Sequence, residues 1–421
     1  MRCRHGGILL VVVGLLALGT GCSGDDDSAS PGSPDSPAAD VEQADEAAAE
    51  SPAVEAEEHT GDDFSTPPDP LPEGEHGTLL RYQPIEGYDV EGATAWRIMY
   101  LSESVSGDPI AVTGSVLVPT GEAPSGGRDV VTIAHGTTGI ADECAPSNNP
   151  TTSELTLAAG SFAASGYVVA MTDYEGLGTP GRHPYLVGES EGRSVLDAAV
   201  AAEQLPEAEA GDRYAIIGYS QGGHGALFAG QLAEEWGPDL ELVGTVAGAP
   251  ATELPAIFAA GGAGVVGGFL FMIIGGFAAA YPDADLSTLL TPAGEAALPE
   301  VDTGCVGQVI GAISSHGDEQ LLQPDYLTAE PWADLAEENT PGHVITETPI
   351  LILHSAADDL VPVGLSQVLF DRLCEGGQVV ERRIYDDGKG HGPAAVDAYA
   401  DGFTWIDDLM TGTATARSTC P

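Results

Sequence analysis

Basic side chains are almost missing from this sequence. Its 421 residues hold 13 Lys and Arg against 65 Asp and Glu, a formal charge of -52, and Lys389 is the single lysine. Binding a phosphate backbone needs clustered Lys and Arg, so a nucleic-acid partner is excluded. Cysteine is scarce too: there are six, and none forms a CxxC pair. That spacing argues against a zinc or redox centre, and no metal or cofactor is expected. Internal repeats are absent. The first apolar run, residues 8–18, has 11 residues and is too short to span a bilayer well.

What is present begins with an export signal. Arg2 and Arg4 precede the apolar run, and small residues follow it as far as Gly21. Cys22 stands directly after Leu18-Gly19-Thr20-Gly21, which resembles a bacterial lipoprotein processing site, although Gly19 occupies a place where leucine is usual. Residues 1–21 are therefore expected to be removed. Cys22 is expected to carry a lipid anchor, and plain secretion after nearby cleavage is the alternative. Residues 22–75 are rich in Asp, Glu, Ser, Pro and Ala and read as a disordered acidic tether. The acidity is not confined there. Residues 22–76 carry 17 acidic residues, and the rest of the mature chain holds 48 acidic against 11 basic. Such a surface keeps a protein soluble, with a self-repulsion that salt screens. A salty habitat and a lineage-wide acidic bias both fit it.

From about residue 80 strand-like and helix-like runs alternate. Runs 96–101 and 110–118 read as a hairpin with Gly107-Asp108 in its turn region. Runs 130–134, 167–171, 214–217, 242–246 and 350–353 are short, apolar and β-branched, which fits parallel strands covered on both faces. A further strand is expected over 379–385, and helices over 192–205, 222–236 and 362–374. The expected class is α/β, with a mostly parallel central sheet and helices on both faces. Residues 251–348 interrupt this alternation and read as an inserted helical cap. Within it, 254–281 has no charged residue and seven glycines. Its length suffices for a membrane span. A single span there would put the rest of the chain across the membrane, so buried or lid-forming helices are the preferred reading.

The chemistry concentrates at Gly218-Tyr219-Ser220-Gln221-Gly222, where an apolar strand meets a helix. A nucleophile elbow needs that context, and its sharp turn needs glycine on both flanks. A serine hydroxyl needs a base, and the base needs a carboxylate to fix its tautomer. The expected chain order is Ser, acid, His. After strand 350–353 come Asp358 and Asp359, which compete for the acid; Asp358 is preferred because Val361-Pro362 follows at the usual spacing. After strand 379–385 comes Gly390-His391-Gly392, whose glycines let the imidazole swing toward Ser220. Charge developing on a substrate carbonyl oxygen needs backbone N–H donors. Gln221, next after the serine, supplies one. The other is expected from Thr137, or Thr138, in Ala134-His135-Gly136-Thr137-Thr138-Gly139. His135 reads as structural, and His224 as a packing or hydrogen-bonding residue beneath the elbow. Asp173-Tyr174-Glu175-Gly176-Leu177-Gly178 reads as a pocket rim or a buttress of the oxyanion loop.

Four runs together resemble the secretory lipase family of fungi and actinobacteria. They are His135 to Ser147 with its Cys-Ala-Pro-Ser end, Asp173 to Gly178, Gly218 to Gly223, and Asp358 to Pro362. The resemblance covers about residues 75–421. It implies an α/β-hydrolase core over 76–421 with a helical cap, acting on acylglycerols and similar esters. By position it implies a triad of Ser220, Asp358 and His391. It also implies disulfides Cys144–Cys305 and Cys374–Cys420, where the cysteine count alone leaves three pairings open. Some fungal members carry an acidic side chain in the oxyanion loop, where this chain has Thr137 and Thr138. The expected protein is an exported or surface-tethered serine hydrolase of lipid or small-molecule esters. A peptidase or amidase on the same fold, and a catalytically idle binding protein, are the rivals.

Overall fold

The computed structural model describes residues 54–421, apart from 153 and 157–159. The export signal, Cys22 and most of the expected tether lie outside the described residues. Among the described residues ten strands form one sheet: β1 (Glu57–Glu58), β2 (Leu79–Pro84), β3 (Ala93–Glu103), β4 (Pro109–Pro119), β5 (Arg128–Ala134), β6 (Val168–Thr172), β7 (Ala210–Tyr219), β8 (Glu241–Gly248), β9 (Ile350–Ser355) and β10 (Val380–Tyr385). Their order is β1-β2-β3-β4-β6-β5-β7-β8-β9-β10. The pairs from β6 across to β10 are all parallel, and β2–β3, β3–β4 and β4–β6 are antiparallel. The expected class and mostly parallel sheet are met. The hairpin runs longer than expected, pairing from Ala93↔Pro119 to Glu103↔Pro109. Its reversal uses Gly107 at φ 85°, a left-handed conformation that glycine adopts without strain.

Side-chain alternation along the strands sorts the two faces. Val130 and Ala134 of β5 pack beneath the helices α2 (Gly188–Glu203) and α3 (Gln221–Trp236). Val131 and Ile133 face the other way, toward the short α1 (Gly160–Ala164) and the last helix of the fold. Between β8 and β9 the chain leaves the sheet and builds the cap from α4 (Leu254–Ala259), α5 (Gly264–Ala280), α6 (Leu286–Leu289), α7 (Pro292–Ala297), α8 (Val306–Ser314) and α9 (Trp332–Glu338). Then α10 (Val363–Gly376) joins β9 to β10, and α11 (His391–Met410) follows. The uncharged run is thus two helices, not one span. α5 is the centre of the cap, with Leu270, Phe271, Ile273, Ile274 and Phe277 fully buried. No described helix is long and apolar enough to cross a membrane. Disulfide Cys144–Cys305 joins the loop after β5 to the start of α8, and Cys374–Cys420 joins α10 to the C-terminal tail.

Residues 54–75, expected from composition to belong to the tether, include segments that contact the fold. Glu57–Glu58 pairs with β2, and Phe64, 1% exposed, packs on Leu80, Met99 and Leu101. The guanidinium groups of Arg97 and Arg81 lie 4.7 and 5.3 Å from its ring centre. Averaged composition hides this, because a few apolar anchors in an acidic segment suffice when a sheet face is waiting to be covered.

Candidate active site

β7 ends at Tyr219, Ser220 caps α3, and Gln221 opens it. Ser220 sits at φ 61°, ψ -119°, a strained conformation for a residue with a Cβ. The flanking glycines are required by contact. A Cβ on Gly218 would lie 2.0 Å from the Gly222 carbonyl oxygen, and one on Gly222 would lie 1.9 Å from that of Ala134. The turn is anchored by the Ser220 N–H, which donates to Gly248 O at 2.8 Å.

Three segments far apart in sequence converge on this turn. Ser220 Oγ is 3.0 Å from His391 Nε2, and His391 Nδ1 is 2.7 Å from Asp358 Oδ2. Asp358 and Asp359 divide the work. Asp358 Oδ1 accepts the N–H groups of Leu360 and Val361, at 2.9 and 2.8 Å. Asp359 Oδ1 accepts the His391 backbone N–H at 2.9 Å, so it holds the loop and not the ring. The Tyr219 hydroxyl donates to His391 O at 2.7 Å. Burial pushes the Asp358 carboxyl up. Hydrogen bonds from His354, His391 and Leu360, with the His391 charge, outweigh it and hold that carboxyl well below the usual range. A carboxylate fixed on Nδ1 leaves the Nε2 lone pair facing the serine hydroxyl.

Gln221 is 1% exposed, and its amide is held from beneath. Nε2 donates to Glu191 Oε1 at 2.8 Å and to His183 Nε2 at 3.0 Å. His183 Nδ1 in turn donates to Glu175 O at 2.9 Å, and burial lowers its pKa to about 4. His224 lies beside them, with Nδ1 2.7 Å from Glu191 Oε2 and Nε2 2.9 Å from Asn339 O at the cap boundary. The neighbouring loop comes close: a Cβ on Gly136 would sit 3.9 Å from Ser220 Cβ. Thr137 Oγ1 bonds the Tyr185 hydroxyl at 2.7 Å, and Thr138 O accepts the Val306 N–H from the cap at 2.8 Å. His135 is buried, with Nδ1 2.6 Å from Gly136 O, and does not join the serine line. Asp173 accepts the Thr113 hydroxyl at 2.7 Å, and the Ser147 N–H and hydroxyl at 2.9 and 2.5 Å. The Tyr174 hydroxyl donates to His135 O at 3.0 Å. This stretch therefore braces the loop from behind.

Four residues of this arrangement carry no signal in the sequence: Glu154, Glu191, His183 and His354. Glu154 receives the Gly136 N–H at 3.1 Å and the Tyr399 hydroxyl at 2.5 Å; burial raises its carboxyl to about 7. None belongs to a recognisable motif of its own segment, and the tertiary fold gives each its partners.

Two cavities meet at the serine. One, of about 60 Å³, is lined by Val266, Phe269, Ile273, Leu360, Val361 and Leu365. The other, of about 440 Å³, is lined by Thr137, Glu154, Tyr219, Ile310 and His391. Ser220, Phe269 and Leu360 border both. Among the described residues no cluster of His, Cys, Asp and Glu is disposed to hold a metal ion.

A parallel sheet with a Ser–His–Asp line at the carboxyl ends of its strands defines an α/β-hydrolase. Comparison with known proteins narrows this. A family model described as secretory lipase matches residues 147–418, and the chain belongs to that family. A secreted triacylglycerol lipase of Malassezia globosa is 26% identical over 376 residues, 83% of this chain and 81% of that protein. A probable inactive lipase of Mycobacterium tuberculosis is 25% identical over 375 residues, 83% of this chain and 82% of that one. Candida antarctica lipase A in its closed state superposes with a TM-score of 0.73 at 20% identity, covering 85% of this chain and 88% of that one; at that identity the likeness is one of fold.

Proposed function

We propose that this chain is an exported carboxylic-ester hydrolase, a lipase, working through an acyl-enzyme on Ser220. The observation that carries the reading is the hydrogen-bonded line Asp358–His391–Ser220 at the junction of an apolar and an open cavity. Ser220 Oγ attacks the ester carbonyl carbon while its proton passes to His391 Nε2. Asp358 keeps the other ring proton in place and stabilises the imidazolium. The oxyanion meets the N–H groups of Gln221 and Thr137. Two contacts support that choice. The Thr137 hydroxyl is engaged with Tyr185, and the Gly136 N–H is turned to Glu154. Gln221 N–H also stands at the positive end of α3. The tetrahedral species collapses, and the alcohol leaves with the proton from His391. Water then attacks the acyl-enzyme with His391 as base, releasing the acid and regenerating Ser220.

The apolar cavity suits the acyl chain and the open one the alcohol. The apolar cavity, of about 60 Å³, leaves little room for a long chain as it stands. Short to medium acyl chains are therefore the expected optimum unless the cap widens. Arg2, Arg4 and the apolar run support export, and Cys22 supports a lipid anchor at the surface. The relative named a probable inactive lipase makes an idle binding role the rival to be tested. Hydrolysis of p-nitrophenyl esters from acetyl to palmitoyl, beside Ser220→Ala, decides between them. Turnover that vanishes in the variant supports the reading. Well-folded wild-type protein that turns over no ester at low or high salt would sink it.

A further inference from the structure

His354 is the penultimate residue of strand β9, buried, four residues before Asp358. Its Nε2 faces two acceptors, Val361 O at 2.9 Å and Asp358 Oδ2 at 3.3 Å. A lone pair there would point at two oxygens, so Nε2 must carry a proton. Nδ1 is 2.9 Å from Ser366 Oγ on α10. That hydroxyl accepts from Arg382 of β10, whose Nε and Nη2 lie 3.3 and 3.2 Å away. With its lone pairs drawn on by the guanidinium, Ser366 Oγ has its own hydrogen to give. The two acceptors in reach are His354 Nδ1 and Val363 O, the latter at 3.1 Å. A line of polar contacts thus runs from Arg382 at the sheet edge through Ser366 and His354 to Asp358, His391 and Ser220; its His354–Asp358 step is the longer contact of 3.3 Å, beside the His354 hydrogen bond to Val361 O.

We propose that His354 is a positioning residue of the reaction: its Nε2–H draws on Asp358 Oδ2 beside the His391 proton, and so governs how strongly Asp358 pulls on that proton. The proposal rests on the assignment of Ser220, His391 and Asp358 given above. Asp358 Oδ2 then holds two imidazole donors while Oδ1 holds two backbone donors. Remove His354 and the charge on Oδ2 is left to His391 alone. The imidazolium becomes easier to form, and neutral His391, the form that takes the serine proton, is reached only at higher pH. The other charged and titratable groups facing this line are Asp359 on the His391 N–H, Tyr219 with its ring 5.0 Å from that of His391, Glu154 in the cavity that Ser220 and His391 also line, its carboxyl raised by burial to about 7, and Arg382 behind Ser366. Lys389 presents its carbonyl to Ser355, while its ammonium pairs with Asp387 and Asp397.

The test is the pH profile of kcat/KM for p-nitrophenyl butyrate in His354→Leu and His354→Gln, with folding followed by circular dichroism. A neutral donor of ordinary strength corresponds to a shift of about half to one pH unit. His354→Leu is expected to move the acid limb upward by that amount at unchanged KM. His354→Gln sets an amide N–H near the place of Nε2, and returns the acid limb to the wild-type position. An acid limb unmoved in folded His354→Leu, or moved equally in both variants, overturns the proposal. Should His354→Leu fail to fold, Ser366→Ala removes the Nδ1 partner and keeps the ring. Its acid limb is expected to rise in the same direction, and an unmoved limb again overturns the proposal. The His391 Nδ1–H resonance in proton NMR gives a readout independent of turnover: it moves downfield in His354→Leu. If the wild type cleaves no ester, the functional reading fails alone, and this resonance still judges the role of His354; no movement refutes it.

Discussion

The two disulfides offer a comparison in which stability and activity separate. Cys144–Cys305 closes a separation of 161 residues and Cys374–Cys420 one of 46. Loop-closure entropy puts these at about 5 and 4 kcal/mol. For the roughly 370 residues described, an unfolding entropy of about 2.1 cal/mol/K per residue converts these to Tm losses of about 6 and 5 °C. By heat alone the paired variants Cys144→Ala with Cys305→Ala, and Cys374→Ala with Cys420→Ala, are nearly indistinguishable. Their surroundings differ. Beside Cys305, Val306 N–H bonds Thr138 O at 2.8 Å, and Gly139 bridges Cys305, so the first disulfide clamps the loop that carries Thr137 to the cap. The second holds a tail whose Thr419 bonds Val380 O at 2.9 Å on the edge strand. An oxyanion donor displaced by about an ångström lowers kcat by up to about a hundredfold. Calorimetry and p-nitrophenyl butyrate kinetics, the latter well below both Tm values, are the assays. We expect kcat to fall ten- to a hundredfold in the first variant and by less than twofold in the second. Equal kcat in the two at matched folding would refute the clamp.

Three other outcomes follow from particular contacts. Phe269→Ala opens the partition between the two cavities, so the acyl-chain optimum in kcat/KM moves to longer esters; an unchanged optimum removes Phe269 from the acyl site. Gln221→Ala takes one of two donors from Glu191 Oε1, which keeps the Leu186 N–H, and strands the buried His183 Nε2 while keeping its own backbone N–H; it is expected to lower stability by about 1–3 kcal/mol, read by chemical denaturation. His76 has its pKa raised above 6.5, chiefly by its hydrogen bond to buried Asp197, at 2.7 Å. A raised histidine stabilises fully below its unfolded value, and that contribution fades as pH climbs through the folded value. The Tm gap between wild type and His76→Ala should therefore be widest near pH 5–6 and close toward pH 9; a gap that widens with pH contradicts this.

Much of the core was readable because burial and period leave local marks. The runs at 130–134, 214–217 and 350–353 are apolar on both faces, as covered parallel strands must be, and each lies within an observed strand. Gly218 and Gly222 stand where backbone oxygens exclude any Cβ, so the elbow is a local necessity visible in five residues. The choice between Asp358 and Asp359 rested on spacing to Val361-Pro362. In the fold both carboxylates serve His391, one at the ring and one at the backbone. What escaped reading are contacts between segments. Glu191, His183 and Asn339 surround Gln221 and His224 from three separate stretches, and none bears a pattern in its own. Phe64 escaped for the converse reason: an acidic composition masked a single anchor whose value depends on the sheet beneath it.

The most direct test of the account is covalent trapping with a p-nitrophenyl phosphonate ester, followed by intact mass and peptide mapping. The account predicts one adduct per chain, on Ser220, formed in step with complete loss of ester hydrolysis. It also predicts no adduct in Ser220→Ala, and a much slower one in His391→Ala. An adduct on another residue, or hydrolysis persisting in Ser220→Ala, would contradict it.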